Sequence, residues 1–162
     1  MFNMENQVEL AIIRANDLKR TYSDEQIESL TFSLDVPPSI NHMYHNTKGG
    51  GKRLTKVAEQ YFFDVKAKVR AEALDQNWIF KLAPQWLYLD LYFYFPDRRR
   101  RDSHNCLKIL LDALEGVLFE NDYYVMPNIR LVEMDSKNPR VDVVLRVQTE
   151  SERQQIIFDH GK

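Results

Sequence analysis

The stretch Trp86-Leu87-Tyr88-Leu89-Asp90-Leu91-Tyr92-Phe93-Tyr94-Phe95 constrains the fold more than any other part of the chain. Every residue in it is apolar or aromatic except Asp90. Aromatic side chains suit the pleated surface of a strand. A strand that is apolar on both faces belongs in the middle of a sheet, covered on each side. The run is about half the length a membrane-spanning helix needs, and no window of about 18 apolar residues occurs elsewhere, so no membrane segment is expected. The rest of the chain must therefore supply the strands and helices that bury this one.

Residues 30–36, Leu30-Thr31-Phe32-Ser33-Leu34-Asp35-Val36, alternate apolar and polar and predict a strand. Pro37-Pro38 ends it, since proline cannot donate to a ladder. Residues 129–135 and 141–147 predict two more strands, joined through Lys137-Asn138-Pro139. Residues 39–45 read as irregular or briefly extended, and Gly49-Gly50-Gly51-Lys52-Arg53 as a flexible basic loop. Thr55 is placed to cap a helix running to about residue 75, with Val57, Tyr61, Phe62, Val65, Val69 and Ala73 as its apolar stripe. Residues 103–118 predict a second long helix. At the N-terminus, Val8, Ala11, Ile12 and Ala15 recur at helical spacing, and Ser23-Asp24-Glu25-Gln26 has the form of a capping box. The expected architecture is α+β: a single compact domain with a mixed sheet of four or slightly more strands packed on two long helices. Residues 1–28 form an N-terminal helical extension, 29–148 the domain, and 149–162 a polar tail expected to fray.

Length and composition agree. A chain of 162 residues, 44% hydrophobic and 28% charged, is one ordinary globular domain. Its first residues lack a basic region followed by an apolar stretch, which points to the cytoplasm. The single cysteine, Cys106, has no internal disulfide partner and reads as a small packed residue. A net charge of −2 argues against a protein that coats nucleic acid over its whole surface. Placement of charge therefore matters more than its sum.

That placement is uneven. Arg98, Arg99, Arg100 and Arg101 run directly into Asp102, and such a run is costly unless something anionic lies near. On a wheel of about 100° per residue, Leu107, Leu110, Leu111, Leu114, Val117 and Leu118 share one side of the second helix. Asn105, Lys108 and Asp112 share the other. Asp122 follows the helix, so Asp102, Asp112, Asp122 and Lys108 can converge on one edge of the core. Phosphodiester hydrolysis with Mg²⁺ needs such a group. The ion takes oxygen ligands, usually one or two carboxylates plus phosphate oxygens, and activates water while stabilising charge on the phosphate. A lysine can offset the charge that develops, and arginines can hold neighbouring phosphates. An amphipathic helix beside a solvated basic turn has the same spacing, so the pattern alone leaves both readings open. His42 and His45 flank Tyr44 with no carboxylate close in sequence and read as surface or packing residues. Lys48, Lys52, Arg53 and Lys56 read as either a phosphate-contacting flap or a solvated loop.

Three marks in order give the chain a family likeness: Pro37-Pro38-Ser39-Ile40-Asn41 after the first strand, then Asp97 to Asp102 leading into Asn105, Lys108 and Asp112-Ala113-Leu114, then Asn121-Asp122. With these, the chain resembles the RusA family of Holliday junction resolvases of bacteria and their phages, from about Leu30 to Val147. The resemblance implies a homodimer that binds four-way DNA junctions and nicks two strands with Mg²⁺. It implies metal-binding roles for Asp102 and Asp122, an essential lysine in Lys108, a ligand or supporting role for Asp112, and a site-lining role for Asn41, Asn105 and Asn121. The chain departs from the family's Asp-x-Asp-Asn at His104, where imidazole can serve as a ligand better suited to Mn²⁺ than Mg²⁺ or as a general base. It departs again at Asn121, where the family usually has aspartate. Both changes remove negative charge, and two alternatives stay open: a junction-binding protein of the same fold with weak or no cutting, and a nuclease for other branched nucleic acids.

Overall fold

The computed structural model describes residues 27–39, 42–99 and 103–153. The helices expected in the N-terminal extension, and Asn41, Arg100, Arg101 and Asp102, lie outside the described residues. The chain divides into a compact unit Ser29–Gln148 and a second unit formed by Met1–Glu28 with Thr149–Lys162. In the second unit the polar tail does not begin by fraying: residues 150–153 form a helical turn. Thr149 and Glu152 close it as a reciprocal cap, the Glu152 carboxylate accepting from the Thr149 N–H and the Thr149 hydroxyl accepting from the Glu152 N–H.

The larger unit is a four-stranded mixed sheet with two helices on one face. In chain order its elements are β1 (Ser29–Leu34), a small hairpin β2 (Tyr44–Asn46) and β3 (Lys52–Leu54), α1 (Lys56–Asp75), β4 (Leu87–Phe95), α2 (His104–Leu114), a 3-10 turn (Asp122–Tyr124), β5 (Val125–Met134) and β6 (Arg140–Val147). The sheet order is β1-β6-β4-β5, with β4 and β5 parallel and the other pairs antiparallel. The aromatic run is thus an interior strand, as its two apolar faces require. Although β5 and β6 are consecutive, they do not pair. The turn after β5 carries the chain past the end of β4, so the two strands flank it. Asp135 holds that turn, accepting from the N–H groups of Lys137 and Asn138 and pairing with Arg140.

Leu87, Leu89, Leu91, Phe93 and Phe95 of β4 point into the core, together with Val141, Val143 and Leu145 of β6 and Leu30, Phe32 and Leu34 of β1. Asp90 faces the other way and is only 3% exposed. An unpaired carboxylate there would be expensive. A bulge in the β4–β5 ladder skips Arg130, whose Nε donates to Asp90 at 2.8 Å. On β5, Pro127 is tolerated because the strand lies at the sheet edge.

Both helices differ in detail from the sequence expectation. Thr55 does cap α1, its hydroxyl accepting from the Ala58 N–H. The buried stripe is Ala58, Tyr61, Val65 and Val69, whereas Val57 is exposed. The helix ends in a Schellman arrangement, with Trp78 N–H bonded to Ala73 C=O, Asn77 N–H to Leu74 C=O, and Asn77 left-handed at φ 56°. α2 stops at Leu114 rather than near residue 118, because Gly116 takes φ 76° and the chain turns back, its N–H bonding to Phe119 C=O. The buried side chains of α2 are Cys106, Ile109, Leu110, Ala113 and Leu114, with Leu107 and Leu111 packed at the margin. The β2–β3 hairpin was expected only as irregular chain and a glycine loop. Three-residue strands that are almost wholly exposed carry no alternation to read.

Candidate functional site

The solvent side of α2 carries His104, Lys108 and Asp112 at intervals of four, and Glu115 three residues further at the helix end. That spacing aligns them along one stripe. The tight reversal at Gly116 then brings the following segment back beside the helix. Asn121 caps the 3-10 turn, its side-chain oxygen accepting from the Tyr123 N–H at 2.9 Å, and this fixes the backbone at Asp122. The outcome is a half-buried cluster in which Asp112, Glu115 and Asp122 each offer a carboxylate oxygen within 4.8 Å of the others.

Lys108 closes the cluster. Its ammonium donates to Asp112 Oδ1 at 3.2 Å. The hydrogen bond to Asp112, then the charges of Asp112 and Asp122, push its pKa up against a small opposing effect of burial. The lysine therefore stays protonated across the physiological range. Tyr44 also lies within electrostatic reach of Lys108, which brings the start of β2 to this side of the molecule. The base of the hairpin is firmly held: Met43 is buried, the Thr55 hydroxyl donates to His42 C=O, and the Thr55 N–H donates to Met43 C=O.

Three carboxylates against one ammonium leave local negative charge in a small volume, and the repulsion among them is relieved by a cation. The donor set is all oxygen, which suits a hard divalent ion such as Mg²⁺ or Mn²⁺. Among the described residues the group fits a divalent metal.

Of the residues singled out in the sequence, Lys108, Asp112 and Asp122 come together here. Glu115 was not among them. Its place three residues after Asp112 and seven after Lys108 is the signal that marks it. His104 lies exposed on the first turn of α2, and Asn105 is half-buried beside it. Asn121 serves as a cap. Arg98 and Arg99 are exposed after β4, with the Arg99 N–H and guanidinium turned to Asp97. Lys52 and Arg53 lie on β3, and Lys56 opens α1, all three exposed. The β2–β3 register puts Tyr44 opposite Leu54 and Asn46 opposite Lys52, so Tyr44 and Lys52 share one face of the hairpin and His45 and Arg53 the other.

Comparison with known proteins bears on the same region. The sequence profile of a family described as "Endodeoxyribonuclease RusA" matches residues 35–146, most of the larger unit. A relative from Enterobacteria phage HK97, described as "Crossover junction endodeoxyribonuclease rusA", is 34% identical over 101 residues. The matched segment covers 62% of this chain and 79% of that relative.

Proposed function

The chain belongs to the endodeoxyribonuclease RusA family, and from that premise we propose that it resolves four-way DNA junctions by paired, divalent-metal-dependent hydrolysis of phosphodiester bonds. The observation that carries this reading is the cluster of Asp112, Glu115 and Asp122 beside Lys108, inside the segment matched by the family. Asp102, which begins the run into α2, joins that set by family resemblance. Mg²⁺ is the ion proposed, with Mn²⁺ as the alternative that an imidazole at position 104 would favour. Held by these carboxylates, the ion would supply Lewis acidity at the scissile phosphate.

The chain's own groups do the remainder. Lys108, kept protonated beside Asp112, sets a positive charge where negative charge develops on the phosphate. Arg98, Arg99, Arg100 and Arg101 bind flanking backbone phosphates, with Lys52, Arg53 and Lys56 of the hairpin and α1 as a second basic contact. Asn41 and Asn105 line the site. His104 serves as a general base or joins the ligand set. A four-way junction presents two strands to be cut, so two sites related by two-fold symmetry suit it, and the working form is a homodimer in the bacterial or phage-infected cytoplasm.

A second reading has a specific basis. Asn121 is used as a cap and His104 stands exposed, where the family carries carboxylates, so the same fold can bind junctions while cutting weakly. A synthetic four-way junction incubated with Mg²⁺ and, separately, Mn²⁺ separates the two. Symmetrically paired nicks support the nuclease. Tight junction binding with no nicks in either metal leaves the binding protein, and efficient cutting of flaps or forks in preference to junctions assigns another branched substrate.

A further inference from the structure

Next to the acidic cluster stands an aromatic group that phosphodiester chemistry does not use. Tyr123 follows Asp122 directly and is 71% exposed. Its ring lies 5.1 Å from that of Tyr124 at 84° and 6.0 Å from that of Trp86, while Trp86 and Tyr124 meet edge to face at 5.3 Å and 76°. These contacts hold an exposed ring in place at little further entropic cost. The backbone is held as well, with Asn121 accepting from the N–H groups of both tyrosines. Trp86 directly precedes β4 and Tyr124 is the last residue of the turn that leads into β5. These strands are paired in parallel, with Leu87 opposite Val125, so the rings are mounted on the rigid end of the sheet.

Such an arrangement has no role in the core, because its outermost ring is in water. It is also a poor phosphate contact, since the ring of Tyr123 carries no positive charge. The exposed ring is a flat, uncharged surface, for which the face of a base is the favoured partner. Regular duplex keeps those faces stacked inside. Branched DNA exposes them where strands part.

We propose that Tyr123, braced by Tyr124 and Trp86, is the stacking surface for a base at the branch that has lost its stacking neighbour, beside the phosphate the site attacks. This rests on the reading of the acidic cluster as a DNA nuclease centre. Stacking tolerates any base, since every base has a π-face, so the contact selects for structure and not for sequence. Ile79 and Leu82, on the segment bonded to Leu118 and Glu120, are also exposed, which makes a protein contact the rival use of this side of the molecule.

The test uses the full chain and its Tyr123→Ala and Tyr123→Phe variants, both checked for unchanged melting. Affinity is measured in Ca²⁺ for a four-way junction carrying 2-aminopurine at the branch and for a linear duplex of the same arms. The expected result is a loss of about tenfold in junction affinity for the alanine variant, the scale of one base–aromatic stack. Duplex affinity is unchanged, and the phenylalanine variant behaves as wild type. The 2-aminopurine emission change induced by wild type is lost with alanine and kept with phenylalanine. Equal junction binding by the alanine variant overturns the proposal, as does an equal loss on junction and duplex. A change in oligomeric state on sedimentation with junction affinity intact also overturns it and assigns the surface to a protein contact. If wild type neither binds nor nicks branched DNA, the nuclease reading falls and this proposal with it. If wild type nicks and the alanine variant matches it in every readout, only the stacking assignment falls.

Discussion

The two helices pack on the same face of the same sheet but differ in what their outer sides do. α1 runs for 20 residues and is closed at both ends, by the Thr55 hydroxyl and by the left-handed Asn77. Its solvent side settles its polar groups locally, as in the bond from Gln60 to Asp64. Gln76, just past its end, uses its carboxamide to pair both the N–H and the C=O of Thr31, covering the free edge of β1. α2 is 11 residues long, and Ser103 makes no side-chain cap bond. Its solvent side leaves carboxylates crowded together and draws in another from the turn beyond. One helix is finished for stability, while the other crowds carboxylates whose repulsion a cation would relieve. Chemistry collects where a structure tolerates such local conflict.

If this division is right, the largest effect of any exposed substitution falls on α2 and its turn. Asp122→Asn and Asp112→Asn should each lower junction cutting by more than about a hundredfold, the scale lost with a charge-stabilising group. Neither should lower the melting temperature, since each relieves repulsion among carboxylates. Normal cutting by either variant in a gel assay of nicked junctions would remove that residue from the site. Lys108→Met is expected to reduce cutting by a comparable factor with junction binding kept, and to cost little stability because the lysine is well exposed. Parallel losses of binding and cutting would instead make it a contact residue.

The α1 side should give the opposite pattern. Asn77→Ala removes the short polar side chain that lets asparagine tolerate the left-handed region and is expected to cost about 1 kcal/mol of stability with the cutting rate unchanged, whereas Asn77→Gly should restore or exceed wild-type stability. Chemical denaturation of the three proteins checks this. The smallest effect belongs to Asp135, in the turn between β5 and β6. The Asn138 N–H, then the Lys137 N–H and Arg140, hold its carboxyl below the usual carboxylate range. A lowered folded-state pKa contributes stability above the ordinary carboxylate pKa and loses it as pH falls through the folded value. Asp135→Asn should therefore melt below wild type at neutral pH, with the gap closing in acid. A gap independent of pH would mean the ionised form is not what holds the turn.

How much of this was legible in the sequence follows from which forces were local. β4 announced its interior position because both its faces are apolar. The start of α1 was visible in Thr55 and its far end in the periodic run up to Asp75. Strand order was not legible, since Lys137-Asn138-Pro139 looks the same whether it joins neighbours or carries the chain past β4. The end of α2 was missed because Leu118 continues the apolar stripe in sequence, while the left-handed Gly116 has already reversed the chain. Glu115 carries a legible signal as well, its helical spacing from Asp112 and Lys108, although it caps the helix and does not lie within it. Lys108, Asp112 and Asp122 were within reach, two by helical spacing and the third by family likeness. The hairpin was not, because strands of three residues leave no pattern.

The bulge that skips Arg130 acts on β5 as a correction of phase. Before it, Val125, Pro127 and Ile129 stand opposite Leu87, Leu89 and Leu91, on the side to which the core residues of β4 point. After it, Val132 and Met134 stand opposite Phe93 and Phe95, so the side that was odd-numbered becomes even-numbered. One residue thus changes the phase of the strand at the sheet edge, where Val132 and Met134 remain exposed, and the arginine released from the ladder is the one that neutralises Asp90. Deleting Arg130 would therefore do more than orphan a carboxylate. It would also run the second half of the strand out of phase with β4.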